Sequence, residues 1–169
     1  ELNFCIHYRY ETQKAILTDI VASLYAQGHR RLLIINGHGG NTFKSMIRDL
    51  SLDYPDFLIA TSEWFSFIPG KEYFEEPGDH ADELETSVMM HYHPELVDLK
   101  EAGEGKSKKF ASQMLNEKVA WVPRHWLKVS KDTGIGNPKK ASADKGRLYA
   151  QAVTTKYAQL FKELTEEIY

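Results

Sequence analysis

Cysteine is almost missing from this chain: Cys5 stands alone. A disulfide framework is therefore excluded, and a reducing compartment, the cytoplasm, is the expected setting. Long apolar runs are missing as well, and no signal-peptide pattern opens the sequence, so no membrane partner is expected. Nor is there an excess of positive charge. Lys and Arg number 21 against 24 Asp and Glu, a net charge of −3, which argues against a general nucleic-acid or membrane-surface role. Internal repeats and low-complexity tracts are absent too. What is present is an ordinary soluble mixture, 42% hydrophobic and 27% charged over 169 residues, enough for one domain with a real core.

The most informative stretch is Leu32-Leu33-Ile34-Ile35, followed by Asn36-Gly37-His38-Gly39-Gly40-Asn41-Thr42. The branched apolar run reads as a buried strand. The glycines turn the chain sharply. Thr42 is placed to cap a helix that carries Phe43, Met46, Ile47 and Leu50 on one face. His38 thus lies in a glycine loop between strand and helix, where α/β proteins put their ligands. Gly39 and Gly40 leave its imidazole open to whatever enters. Two plainer readings compete: an anion cradle before a helix, and a packed histidine with no chemistry. The spacing matches neither the dinucleotide fingerprint nor the P-loop, so a nucleotide-binding domain rests on the glycines alone.

Around this stretch the pattern is helix–strand–helix–strand. Thr12 to Gln27 carries Ile16, Leu17, Ile20, Val21 and Leu24 on a helical stripe, with Gly28 as its stop. Phe57 to Phe65 reads as a second strand after Tyr54-Pro55-Asp56. The order predicts two parallel strands, at about Arg31–Asn36 and Phe57–Glu63, with helices on both faces. Trp64, at the end of the second strand, is either a core aromatic or a wall of the site. Asn3 to Tyr10 reads as a short strand or arm, Val119 to Leu127 as an edge strand, and Ser142 to Tyr169 as the longest helix.

A second cluster follows an irregular loop: Asp79-His80-Ala81-Asp82-Glu83-Leu84-Glu85. Asp79 reads as the N-cap of a helix ending before Pro94, with Ala81, Leu84, Val88 and Tyr92 as its buried stripe. First-turn carboxylates commonly serve only the helix dipole. Histidine together with carboxylates is also the ligand set of Zn²⁺ or Mn²⁺, though the spacing is not that of a zincin helix.

Three segments in order are Asn36-Gly37-His38-Gly39-Gly40-Asn41, then Asp79-His80-Ala81-x-Glu83-x-Glu85-Thr86-Ser87, then Gly134-x-Gly136-Asn137-Pro138-x-x-Ala141-Ser142-Ala143-x-Lys145-Gly146. Together they make the chain resemble the creatininase (creatinine amidohydrolase) family. The resemblance implies an α/β fold, a three-layer α/β/α sandwich with a mainly parallel sheet, and a homo-oligomer, often a hexamer. It implies hydrolysis of a cyclic amide or formamide, a small-molecule substrate, at a centre of two divalent metals, Zn²⁺ or Mn²⁺, per subunit. It maps a metal ligand onto His38 and the proton donor to the leaving nitrogen onto His80. Gly40 stands where creatininase itself has a glutamate, so the resemblance suggests Glu83 as the carboxylate for the second metal. Gly39, Gly40 and Trp64 are the candidates for substrate contact. The family's first motif, a Glu, a His and a bridging Asp, finds no match in Glu1 to Gln27. The expectation is therefore one creatininase-like domain over residues 1–169 without the family's N-terminal portion. The expected function is a metal-dependent amidohydrolase. The alternative is a non-catalytic subunit that binds a small molecule.

Overall fold

The apolar run lies in β1 (Arg31–Asn36), and β2 (Leu58–Glu63) pairs directly with it in parallel, Arg31 opposite Leu58 and Asn36 opposite Glu63. The computed structural model describes residues 5–76 and 78–166. Helix α1 (Tyr10–Ala26) leads into β1, and α2 (Lys44–Asp53) is the crossover to β2. Gly28, at φ +89°, ends α1 where the sequence places a stop. Leu17 and Val21 of α1 and Met46 and Leu50 of α2, each pair four residues apart, bury together with Phe57 and Ile59. Leu32 and Ile34 pack against this cluster, so both helices cover one face of the sheet.

Alternation turns Arg31 and Ser62 to the opposite face. There the final turns of α6 (Ala143–Glu163) lie: Ser62 Oγ and Tyr157 Oη are 2.8 Å apart, and Arg31 Nη1 donates to the Leu164 carbonyl. Phe67 stacks on Tyr157 at 4.4 Å between ring centroids. Parallel strands with helices on both faces are thus as the sequence predicts. Tyr157→Phe removes one half-buried hydrogen bond and should cost about 1 kcal/mol. A thermal melt of that variant that matches the wild type would show that Ser62 is satisfied without it.

The chain divides into two compact units, one of residues 6–68 and 157 onward, holding the sheet, and one centred on residues 69–156. The second is built on α3 (Glu83–Tyr92) and the first turns of α6, with two short helices, α4 (Gln113–Asn116) and α5 (Trp126–Val129). Tyr149 of α6 is fully buried, with the rings of Tyr73 and Phe74 edge-on to it at 5.4 and 5.3 Å. Gly146 explains how α6 meets α3. A Cβ there would stand 1.9 Å from the Ser87 carbonyl oxygen, so the two backbones touch only because a glycine separates them.

Several sequence expectations are corrected. Helix α3 starts at Glu83, and Asp82, not Asp79, is its N-cap: the Asp82 carboxylate accepts the Glu85 N–H at 3.0 Å, while Glu85 Oε2 accepts the Ala81 N–H at 2.7 Å. The buried positions of α3 are Glu83 and Ser87, whereas Ala81 and Tyr92 are exposed, because the touching α6 selects the other side. Phe43, not Thr42, precedes α2, and no side chain caps that helix. Asn3 and Phe4 lie outside the described residues; 5–9 form no strand, and Tyr10 already begins α1. Val119 to Leu127 is not an edge strand either: it finds no strand to pair with, Val119 and Trp121 stand exposed, and Trp126 opens α5. The long helix runs Ala143–Glu163 and ends short of the expected span, since 164–166 form a turn and 167–169 lie outside the described residues; Tyr149, Val153 and Tyr157 are among its buried positions. No helix among the described residues is long and apolar enough to cross a membrane.

Candidate functional site

The β1 strand ends in Asn36, which is almost fully buried and holds the glycine loop at both ends. Its Oδ1 accepts the His38 N–H and the Asn41 side-chain amide, each at 3.2 Å, and the Asn41 N–H closes the turn onto the His38 carbonyl. The His38 ring is exposed, and its Nδ1 accepts the Gly40 N–H at 3.0 Å. A neutral ring in this pose carries its proton on Nε2. To offer Nε2 to a metal, the proton must move to Nδ1 and the Gly40 bond must open. A Cβ at Gly40 would lie 3.0 Å from the ring's Cε1 and Nδ1, so the imidazole would have to shift to admit one. Trp64 Nε1 donates to the Gly37 carbonyl at 3.3 Å, and the space over Gly39 is closed by Phe65. Trp64 therefore braces the loop.

Beside this loop, at the C-terminal ends of both strands, opens a pocket of about 440 Å³. Asn36, Thr42, Lys44, Thr61, Glu63 and Ser66 are among its lining residues. Gly39, Gly40 and Trp64, the expected substrate contacts, are not among its lining residues.

In the other unit, His80 precedes α3 in an extended segment. Its backbone pairs with Ile135, which donates to the His80 carbonyl at 2.8 Å and accepts the His80 N–H at 3.1 Å. The half-buried ring stands edge-on to Trp126 at 4.8 Å. Arg124 lies over the same indole and forms an ion pair with Asp79. Gly136, at φ +123°, makes this crossing possible, since a Cβ there would lie 2.6 Å from Asp82 Cβ and from Gly78 Cα.

Glu83 is wholly buried, and both its carboxylate oxygens are engaged. Oε2 accepts the N–H groups of Glu75 at 2.9 Å and Glu76 at 2.7 Å, and Oε1 accepts Lys145 Nζ at 2.5 Å. Burial pushes the carboxyl up, but Lys145 and the two backbone donors outweigh it and hold Glu83 below the usual carboxylate range. Lys145 fills its remaining donors with Glu75 Oε1 and the Lys140 carbonyl. Asp82 is shifted the other way, upward, because burial outweighs the Glu85 N–H.

The resemblance suggests His38 and Glu83 as metal ligands. Among the described residues no group of three His, Cys, Asp or Glu could hold a metal ion. To serve a metal, Glu83 would first have to release Lys145. The donors described do not by themselves fit a dinuclear centre. Sequence reasoning assigned no role to Lys145, Arg124 or Trp126. The first sits in the third motif with nothing to name its partner, and the other two sit in the segment read as a strand.

The sequence model of the creatininase family, described as creatinine amidohydrolase, matches residues 1–161. A structure from Bacteroides fragilis, provisionally named a creatinine amidohydrolase, is 62% identical with a TM-score of 0.96, covering 100% of this chain and 68% of that one. A crystal structure of creatinine amidohydrolase (creatininase) is 21% identical with a TM-score of 0.79, covering 99% and 69%. A mutant creatininase complexed with creatine is also 21% identical, with a TM-score of 0.78 and coverage of 96% and 68%. These last two speak to the fold alone. No curated protein matches at the same stringency. With all three motifs inside the matched span and the α/β fold shared with these structures, the chain belongs to the creatininase family.

Proposed function

We propose that this chain is a metal-dependent amidohydrolase that cleaves the C–N bond of a cyclic amide or formamide with water. The match to the family over residues 1–161 carries this reading. The metal is Zn²⁺ or Mn²⁺, in line with creatininase structures described in Zn–Zn and Mn forms. In this reading His38 supplies one ligand. Glu83 is kept as the buried anchor of Lys145. No step is assigned to the metal here, because the described donors do not complete its centre.

In the hydrolysis, the oxygen of water adds to the amide carbon and the C–N bond breaks. The departing nitrogen is a poor leaving group until it gains a proton. His80 gives that proton. Its backbone is fixed by Ile135 and its ring is steadied by Trp126, so the imidazole is held while one edge stays accessible.

The test is an assay of the purified full chain with creatinine, other cyclic amides and N-substituted formamides, with Zn²⁺ or Mn²⁺ supplied. Turnover is expected, and His80→Ala should lower kcat about a hundredfold with metal content intact. Near-normal kcat in that variant removes His80 as the acid. Absence of turnover with either metal on every amide leaves the non-catalytic alternative. Loss of metal from His80→Ala would move His80 into the ligand set.

A further inference from the structure

The net charge of −3 is an average over two unlike parts of the chain. From Lys106 to Lys131 stand six Lys and one Arg against a single acidic residue, Glu117. The rest of the chain holds 14 Lys and Arg against 23 Asp and Glu. The basic stretch is an excursion closed at its base. Ser107 and Ser130 pair in a short antiparallel bridge, and the Lys108 N–H donates to the Val129 carbonyl at 2.7 Å. Between them lie only the four-residue helices α4 and α5. Of residues 108–129, all but Leu115, Trp126 and Val129 are exposed.

The exposed residues include large apolar ones. Trp121 is 85% exposed and Val119 71%, and Phe110, Met114 and Val122 are exposed as well. Single exposed hydrophobic residues are ordinary, whereas a concentration of them marks a surface that meets something else. The cations of the same excursion are unused by the fold. Arg124 is held by Asp79 and Lys106 by Glu104. Lys108, Lys109, Lys118, Lys128 and Lys131 form no ion pair among the described residues.

The kind of cation selects the partner. Protein interfaces deplete Lys and favour Arg. Nucleic-acid sites favour Arg too, for its bidentate grip on phosphate. Here Lys outnumbers Arg by six to one, and the one Arg is engaged. A nucleic acid would also leave Met114, Val119 and Val122 in water. An anionic bilayer uses both sets. Lysines are drawn to its headgroups, an indole sits at headgroup level, and apolar side chains enter the acyl boundary.

We propose that residues 108–129 form a docking surface for an anionic lipid bilayer, with the lysines on the headgroups and Trp121, Val119 and Val122 in the interface. The attachment is to the membrane surface only, and it does not rest on hydrolysis or on a metal.

The experiment is co-sedimentation of the full chain with vesicles of phosphatidylcholine alone and of phosphatidylcholine with about 30% phosphatidylserine. The chain should pellet with the anionic vesicles and not with the neutral ones, and added salt should release it. Lys108→Gln/Lys109→Gln should weaken binding about tenfold or more, since each lysine is worth about fivefold near such a surface. Trp121→Ser should weaken it about fivefold or more. Brominated acyl chains should quench the fluorescence of the wild type and not that of Trp121→Phe. Lys156→Gln, on α6 outside the segment, should bind as the wild type does. Thermal melts confirm that each variant is folded. Failure to bind anionic vesicles at low salt overturns the proposal. So does equal binding to neutral vesicles, or binding that both segment variants leave unchanged. Two other results overturn it by naming a different occupant. One is a single-stranded oligonucleotide that binds more tightly than the vesicles and is lost with the lysines. The other is lipid-free self-association that Trp121→Ser abolishes while vesicles stay unbound.

Discussion

Replacing Gly146 with alanine should lower stability by about 3 kcal/mol or more, the upper end for overpacking. The added Cβ meets Ser87 O at 1.9 Å, Ser87 C at 2.3 Å and Val88 N at 2.8 Å, all backbone atoms of α3 that cannot swing aside. Helix propensity works in the opposite direction, favouring Ala over Gly by at most about 1 kcal/mol. The steric term therefore wins, and the sign of the result distinguishes the two. In a domain of this length the loss corresponds to a Tm lower by about 6 °C or more. An unchanged or raised Tm would mean that propensity decides and that the α3–α6 contact yields.

Removing the Glu83 carboxylate should be nearly as damaging. Glu83→Ala leaves the Glu75 and Glu76 N–H groups and one Lys145 donor without their acceptor and opens a cavity, together worth about 3 kcal/mol. Glu83→Gln keeps the volume and isolates the charge. The folded carboxyl titrates below its ordinary value of 4.5. Its contribution is therefore full above that value and is lost as pH falls through the folded one. Denaturant melts along this acid limb should show wild type losing more stability on acidification than Glu83→Gln. Parallel limbs in the two proteins would mean that the Lys145 pair adds nothing.

The two strands and the first helices were legible because their pattern is local. Leu17/Val21 and Met46/Leu50 at helical spacing identify a buried face wherever the partner lies, whereas the run Leu32–Ile35 marks β1 but is only half-buried, with Ile35 exposed. The start of α3 was misread because Asp79 and Asp82 are both good caps. The choice between them was made by Glu85 closing on Ala81 and by Ile135 holding His80 outside the helix. Val119 to Leu127 reads as an edge strand, but without a neighbouring strand to bond it is left as an exposed segment. Of the site, the exposed His38 and its glycine turn could be read directly. The engagement of Glu83 could not, since its partner Lys145 stands 62 residues away, and no spacing rule reaches across that distance.

Asn36 has a further consequence, for the chemical ageing of the protein. It is followed by Gly37, the neighbour that least hinders attack of the next backbone nitrogen on an asparagine side chain, with loss of ammonia. While β1 is formed and Oδ1 holds His38 and Asn41, that ring closure must wait for the loop to let go. Deamidation at this position is therefore a slow clock of loop opening. Water then opens the cyclic imide to aspartate or isoaspartate, which replaces the Nδ2 donor by a carboxylate oxygen and adds one negative charge where the strand meets the pocket. An old preparation would carry a species of altered charge whose defect centres on the end of β1 and the loop around His38.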